Sequence, residues 1–166
     1  NEAINNCCNE PLISLSRDNI TSNAMKINLE GNNLDRKLIE KLKEIDSNTQ
    51  RKNIIVSLIK AIELAKNTKY KDALKIINSI YKNKNNPQKT ALYSLLNMIN
   101  NYEEYSNGTL MDFYNVACRF LDFKISGFNK GKIKDFYEKA LYKNVAICVD
   151  IIEDTSNHIT IHKAKG

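Results

Sequence analysis

The chain reads as an all-α protein: a single-domain antiparallel bundle of about five to six helices, with an irregular N-terminal arm stapled to it by disulfides. Three observations predict this. From Leu34 onward, apolar residues recur at steps of three and four, the period of one helix face. Strand signals are nearly absent, with no sustained alternation and no Asn-Gly turn between β-branched runs. The four cysteines include one adjacent pair, a spacing that suits covalent ties between distant segments. The expected division is an arm over 1–32, the bundle over 33–155 and a short tail over 156–166.

The arm is rich in Asn and punctuated by Pro11 and Gly31. Its Leu12–Leu15 stretch suits a short helix or a cover for the core. The first helix is expected over Leu34–Ile45, capped by Asn33, with Leu34, Leu38, Leu42 and Ile45 in line. The second runs from about Arg51 to Lys66, with Ile55, Leu58, Ile59, Ile62 and Ala65 inward. The third spans about Lys69 to Lys82, turning Tyr70, Ala73, Leu74, Ile77, Ile80 and Tyr81 inward. A fourth, Gln88–Tyr102, presents Ala91, Leu92, Leu95, Leu96, Ile99 and Tyr102. Ser106–Thr109 reads as a turn, and Thr109 caps a fifth helix, Leu110–Ile125, whose face holds Phe113, Tyr114, Ala117, Cys118 and Leu121. Gly127 and Gly131 bracket the turn into the longest periodic run, Gly131–Thr155, which carries Cys148 on its apolar face. The last residues alternate briefly and read as a short extended tail.

At 166 residues, 42% hydrophobic and 27% charged, the chain matches one ordinary globular domain. No apolar run approaches the roughly 18 residues of a membrane span. The opening NEAINNCCNE is polar, shows no signal-peptide pattern and lacks an initiator Met, so the chain reads as a processed or trimmed form. The formal net charge is +6, with 21 Lys against 4 Arg. Asn, Lys and Ile are all abundant and have AT-rich codons, so an AT-rich genome accounts for much of the bias. The lysines are spread among acidic residues rather than gathered on one face, which argues against nucleic acid as a partner.

The cysteines bear on compartment. A Cys7–Cys8 bond would close a strained ring. If the last two helices form a hairpin turning near Phe128, Cys118 and Cys148 are offset by roughly 15 Å along the axes. A disulfide needs Cα atoms about 5.5 Å apart, so these two do not bond each other. The expected pattern joins Cys7 and Cys8 each to one of Cys118 and Cys148, since the vicinal pair reaches across roughly 15–17 Å. Which bonds which is left open. Each bridge would close a loop of more than 100 residues, for which unfolded-state entropy is about 4–5 kcal/mol. The alternative is four unpaired thiols in a cytosolic chain. The spacing lacks the C-x-x-C of zinc sites. If the chain is secreted, the Asn-x-Thr sequences at Asn19 and Asn107 are candidate glycosylation sites.

Catalytic, cofactor and metal sites are expected to be none. His158 and His162 are four apart beside Glu153 and Asp154, but they fall in the tail, a poor place for a catalytic or metal centre. No Gly-rich phosphate loop, nucleophile elbow or paired-carboxylate motif is present. The eight tyrosines fall mostly on helix faces and read as core or boundary residues. Tyr70-Lys71-Asp72-Ala73, with Ile77, Ile80 and Pro87, is similar to the second helix of a tetratricopeptide repeat, over about 18 residues. Pro87 falls two positions late and no second copy follows near a 34-residue period, so the segment also fits an ordinary helical hairpin.

The function expected from these features is a secreted, non-enzymatic binding protein of effector or salivary type. It would engage a host macromolecule, with a protein as the partner. The alternatives are a carrier of a small apolar ligand between helices, and an intracellular tetratricopeptide-like adaptor.

Overall fold

The computed structural model describes residues 14–16, 37–81, 86–129, 131–148 and 158–160. Among them are eight helices and two three-residue strands. The helices are α1 Leu38–Ile45, α2 Thr49–Lys66, α3 Tyr70–Ile80 and α4 Pro87–Asn100. They continue with α5 Tyr102–Ser106, α6 Leu110–Phe120, α7 Lys132–Lys139 and α8 Tyr142–Ala146. Strand β1, Ser14–Ser16, pairs in parallel with β2, His158–Thr160, placing Leu15 opposite Ile159. The architecture is helical as expected, and no helix of the described residues is long and apolar enough to cross a membrane.

Helix α2 is the element the bundle forms around. Asn48 caps it, its side chain accepting from the Arg51 N–H at 2.9 Å. Ile54, Ile55, Leu58, Ile59, Ala61, Ile62, Leu64 and Ala65 are all buried, a wide apolar face that several neighbours must cover, while Gln50, Asn53 and Lys60 stay exposed. Helix α3 folds back on it and packs between α2 and α4 through Ala73 and Ile77. The α2–α3 turn puts Thr68 at φ 61°, while Lys69 N–H donates to Leu64 O at 2.9 Å, a left-handed helix stop usually filled by Gly.

The long Gly131–Thr155 helix is not continuous. It breaks after Lys139, and Ala140 and Leu141 take extended backbone before α8 restarts. The cause is a tertiary competitor for the backbone. Leu110 N–H donates to Ala140 O at 2.7 Å, and Tyr142 N–H donates to Gly108 O at 3.1 Å. The loop before α6 thereby takes groups that a continuous helix would pair internally. Residues 149–155 lie outside the described residues.

Other expectations shift for similar reasons. The apolar content of α1 is confirmed at Leu38 and Leu42, but the helix opens at Leu38, Ile45 is 40% exposed, and Asn33 and Leu34 lie outside the described residues. Tyr102–Ser106 forms its own short helix, where Tyr102 was expected to close the fourth helix and Ser106 to open a turn. Helix α6 ends at Phe120, five residues early, because Leu121 turns to extended backbone. Tyr70, Leu92, Leu96 and Cys118 were expected inward and are exposed. Thr109 caps α6 as expected: its hydroxyl accepts from Asp112 N–H, and the Asp112 carboxylate accepts from Thr109 N–H.

Candidate binding surface

Three buried polar clusters account for four of the eight tyrosines. In the first, Asp46, fully buried after α1, accepts from Arg51 Nε at 2.8 Å and Nη2 at 2.6 Å. Asn48 N–H and the Tyr137 hydroxyl, at 3.2 Å, complete its shell. Arg51 also donates to Gly127 O at 2.5 Å and stacks over the Phe128 ring. One guanidinium therefore gathers α1, α2, the 126–128 segment and α7.

In the second, the Tyr142 hydroxyl donates to Glu63 Oε1 at 2.8 Å. Tyr105 donates to Met98 O at 2.9 Å. Tyr142, Tyr105 and Phe113 pack ring on ring, with Tyr105 edge-on to both neighbours. Burial, and then the Glu63 charge, holds the Tyr142 phenol well above its ordinary range.

The third is a relay of hydrogen bonds. Ser94 donates to Phe120 O at 3.0 Å, so the 2.6 Å contact between Tyr81 and Ser94 has Tyr81 as the donor. Tyr81 in turn accepts from Asp122 N–H. Burial raises the Tyr81 phenol. In all three clusters the polar groups are spent on one another and on backbone. These hydrogen bonds tie helices and connecting segments to one another.

The exposed features lie elsewhere. Between α1 and α7 runs an open groove of about 430 Å³. Leu38, Ile45, Phe136 and Ala140 form its apolar lining, and Lys132, Lys139 and Asp135 are its charged residues. Leu141, the next residue, is 46% exposed but is not among the residues that line the groove. On the α7 side, Lys132, Phe136, Lys139 and Ala140 fall at the three- and four-residue spacing of one helix face, so they line the groove together. A second groove of about 460 Å³ between α2, α3 and the segment after α6 is more polar, with Gln50, Asn53, Ser57, Ser79 and Lys124 beside Phe123.

The residues singled out from sequence are scattered. Cys118 is exposed on α6, and Cys148 is half-buried just past α8, its Sγ donating to Asn144 O. The two are not bonded to each other, and no disulfide joins described residues. Cys7, Cys8 and Asn19 lie outside the described residues, so the staple drawn from them is not seen. Asn107 is exposed, and its Oδ1 accepts from Lys143 Nζ at 2.6 Å. His158 belongs to β2, while His162, Glu153 and Asp154 lie outside the described residues. Sequence reasoning missed Asp46, Arg51 and Glu63. Glu63 left a trace, an acid inside the apolar run Ala61–Ala65; Asp46 and Arg51 looked like ordinary helix-end residues.

No family model, curated protein or solved structure matches the chain.

Proposed function

We propose that the protein is a secreted, non-enzymatic binding protein that engages a macromolecular partner, a host protein in an effector setting, through the groove between α1 and α7. The observation that carries the binding half is the groove itself. It leaves Ile45 exposed beside Phe136 and Ala140, and apolar side chains gathered at one rimmed surface are the usual mark of an interaction site. Lys132 and Lys139 against a single acid, Asp135, favour a partner segment with apolar anchors and acidic flanks. The secreted half rests on the cysteine pattern and has its own test in thiol counting below.

Immobilised protein is used to capture a partner from the fluid or tissue it meets, in parallel with Ile45→Asp and Lys139→Glu variants of unchanged circular dichroism. The expected result is one retained protein whose capture falls at least tenfold with Ile45→Asp and becomes weaker with Lys139→Glu. Equal retention by all three forms removes the groove from the proposal.

Two other readings keep one observation each. A volume of about 430–460 Å³ suits a small apolar ligand, although both grooves are open rather than sealed. An exposed Cys118 suits an intracellular adaptor.

A further inference from the structure

The loop between α5 and α6 reads Asn107-Gly108-Thr109, an acceptor sequence for asparagine-linked glycan. The geometry points to Asn107 as a glycan acceptor that is modified before the bundle closes and is refractory afterwards. Its occurrence in the source rests on the secretory reading above; its chemistry does not.

The Asn107 side chain is exposed, so a bulky substituent on it meets no core. Its amide oxygen accepts from Lys143 Nζ at 2.6 Å. A glycan bonds through Nδ2 and leaves that oxygen in place, so the Lys143 contact survives modification. The rest of the sequence is held. Tyr142 N–H donates to Gly108 O at 3.1 Å, and Leu110 N–H donates to Ala140 O at 2.7 Å. The Thr109 hydroxyl, which a transferase must engage, donates to Asp112 Oδ2 at 2.8 Å and accepts from Asp112 N–H at 3.2 Å. A Cβ at position 108 would come within 2.5 Å of Asp112 Oδ2, so the carboxylate also fills the space above Gly108. The closed loop thus presents the acceptor amide while committing the hydroxyl to the α6 cap.

The donor is an oligosaccharide joined to a lipid through diphosphate. Asn107 Nδ2 attacks the anomeric carbon, the carbon–nitrogen bond forms and the carbon–oxygen bond to diphosphate breaks. The lipid diphosphate leaves with the electron pair, and one Nδ2 proton passes to a base of the transferase. Nothing is oxidised or reduced.

The test uses the full chain behind a cleavable signal peptide, with Asn19→Gln so that Asn107 is the single acceptor, translated into microsomes. This supplies the compartment, so its failure speaks against the site and not against the localisation. One endoglycosidase-sensitive mass step is expected, kept by Thr109→Ser and lost with Asn107→Gln or Thr109→Ala. Folded, unmodified protein offered afterwards to the same transferase and donor should gain no step, whereas Asp112→Ala should gain one. Absence of the co-translational step overturns the site, whether or not the chain folds. Equal modification of the folded unaltered chain overturns the ordering.

Discussion

The Tyr137 hydroxyl donates to Asp46 across 91 residues of chain, at 3.2 Å, in the same shell where Arg51 forks onto the Asp46 carboxylate. Asp46 is fully buried and the Arg51 side chain is 5% exposed. Asp46→Ala should therefore destabilise the protein by about 3–5 kcal/mol, because it leaves a buried guanidinium unpaired. The double change Asp46→Leu with Arg51→Met should recover most of that loss, and Tyr137→Phe should cost about 1 kcal/mol. Urea unfolding of the three variants decides it. A single Asp46→Ala loss no larger than that of the double variant would show that the pair is not coupled.

Alkali should unfold the protein cooperatively. Burial is the first cause raising Tyr81, Tyr102, Tyr105, Tyr137 and Tyr142 above the ordinary phenol range. A phenol whose folded pKa is raised contributes stability that is whole below its unfolded pKa, about 10. That contribution is lost as pH rises from there towards the folded pKa. Stability should be level with respect to these groups up to about pH 9 and fall steeply above about pH 10. The phenolate absorbance of these buried tyrosines and far-ultraviolet circular dichroism should change together. Phenolate absorbance that reaches its full value before the helix signal falls would contradict this.

Thr68 occupies a left-handed helix stop at φ 61°, where a β-branched side chain is strained. Thr68→Gly relieves the strain and should stabilise by about 0.5–1 kcal/mol after the unfolded-state entropy of Gly is counted. Thermal unfolding gives the sign directly. A lowered midpoint would mean that the Thr68 side chain makes contacts worth more than the strain.

The staple proposal predicts no alkylatable thiol in the denatured but unreduced chain, and peptide maps joining Cys7 and Cys8 to Cys118 and Cys148. Cys118→Ser with Cys148→Ser should make the arm protease-sensitive and destabilise by several kcal/mol. Four reactive thiols would remove the staple and move the protein to the cytosol. Two would leave one bridge and break the proposed pairing.

Much of the helical framework was legible in sequence because burial repeats at the helical period. Ile55, Leu58, Ile59, Ile62 and Ala65 were read as one inward face, and all five are buried. The Thr109 cap was legible because capping is local, needing only the hydroxyl and Asp112 three residues on. What sequence could not decide was where one period serves two helices. The three-and-four spacing runs unbroken through Ala140 and Leu141, yet backbone groups from residues 108–110 split α7 from α8 there. That competitor lies some thirty residues away, and only the packed bundle brings it into reach. The same holds for the candidate surface. Leu38 and Ile45 read as parts of one core stripe, but the lining they share with Phe136 exists only because α1 packs against α7 in the folded bundle. Local chemistry determined which segments became helices; long-range hydrogen bonds decided where the last of them broke, and the packing of α1 against α7 decided which apolar residues line the groove.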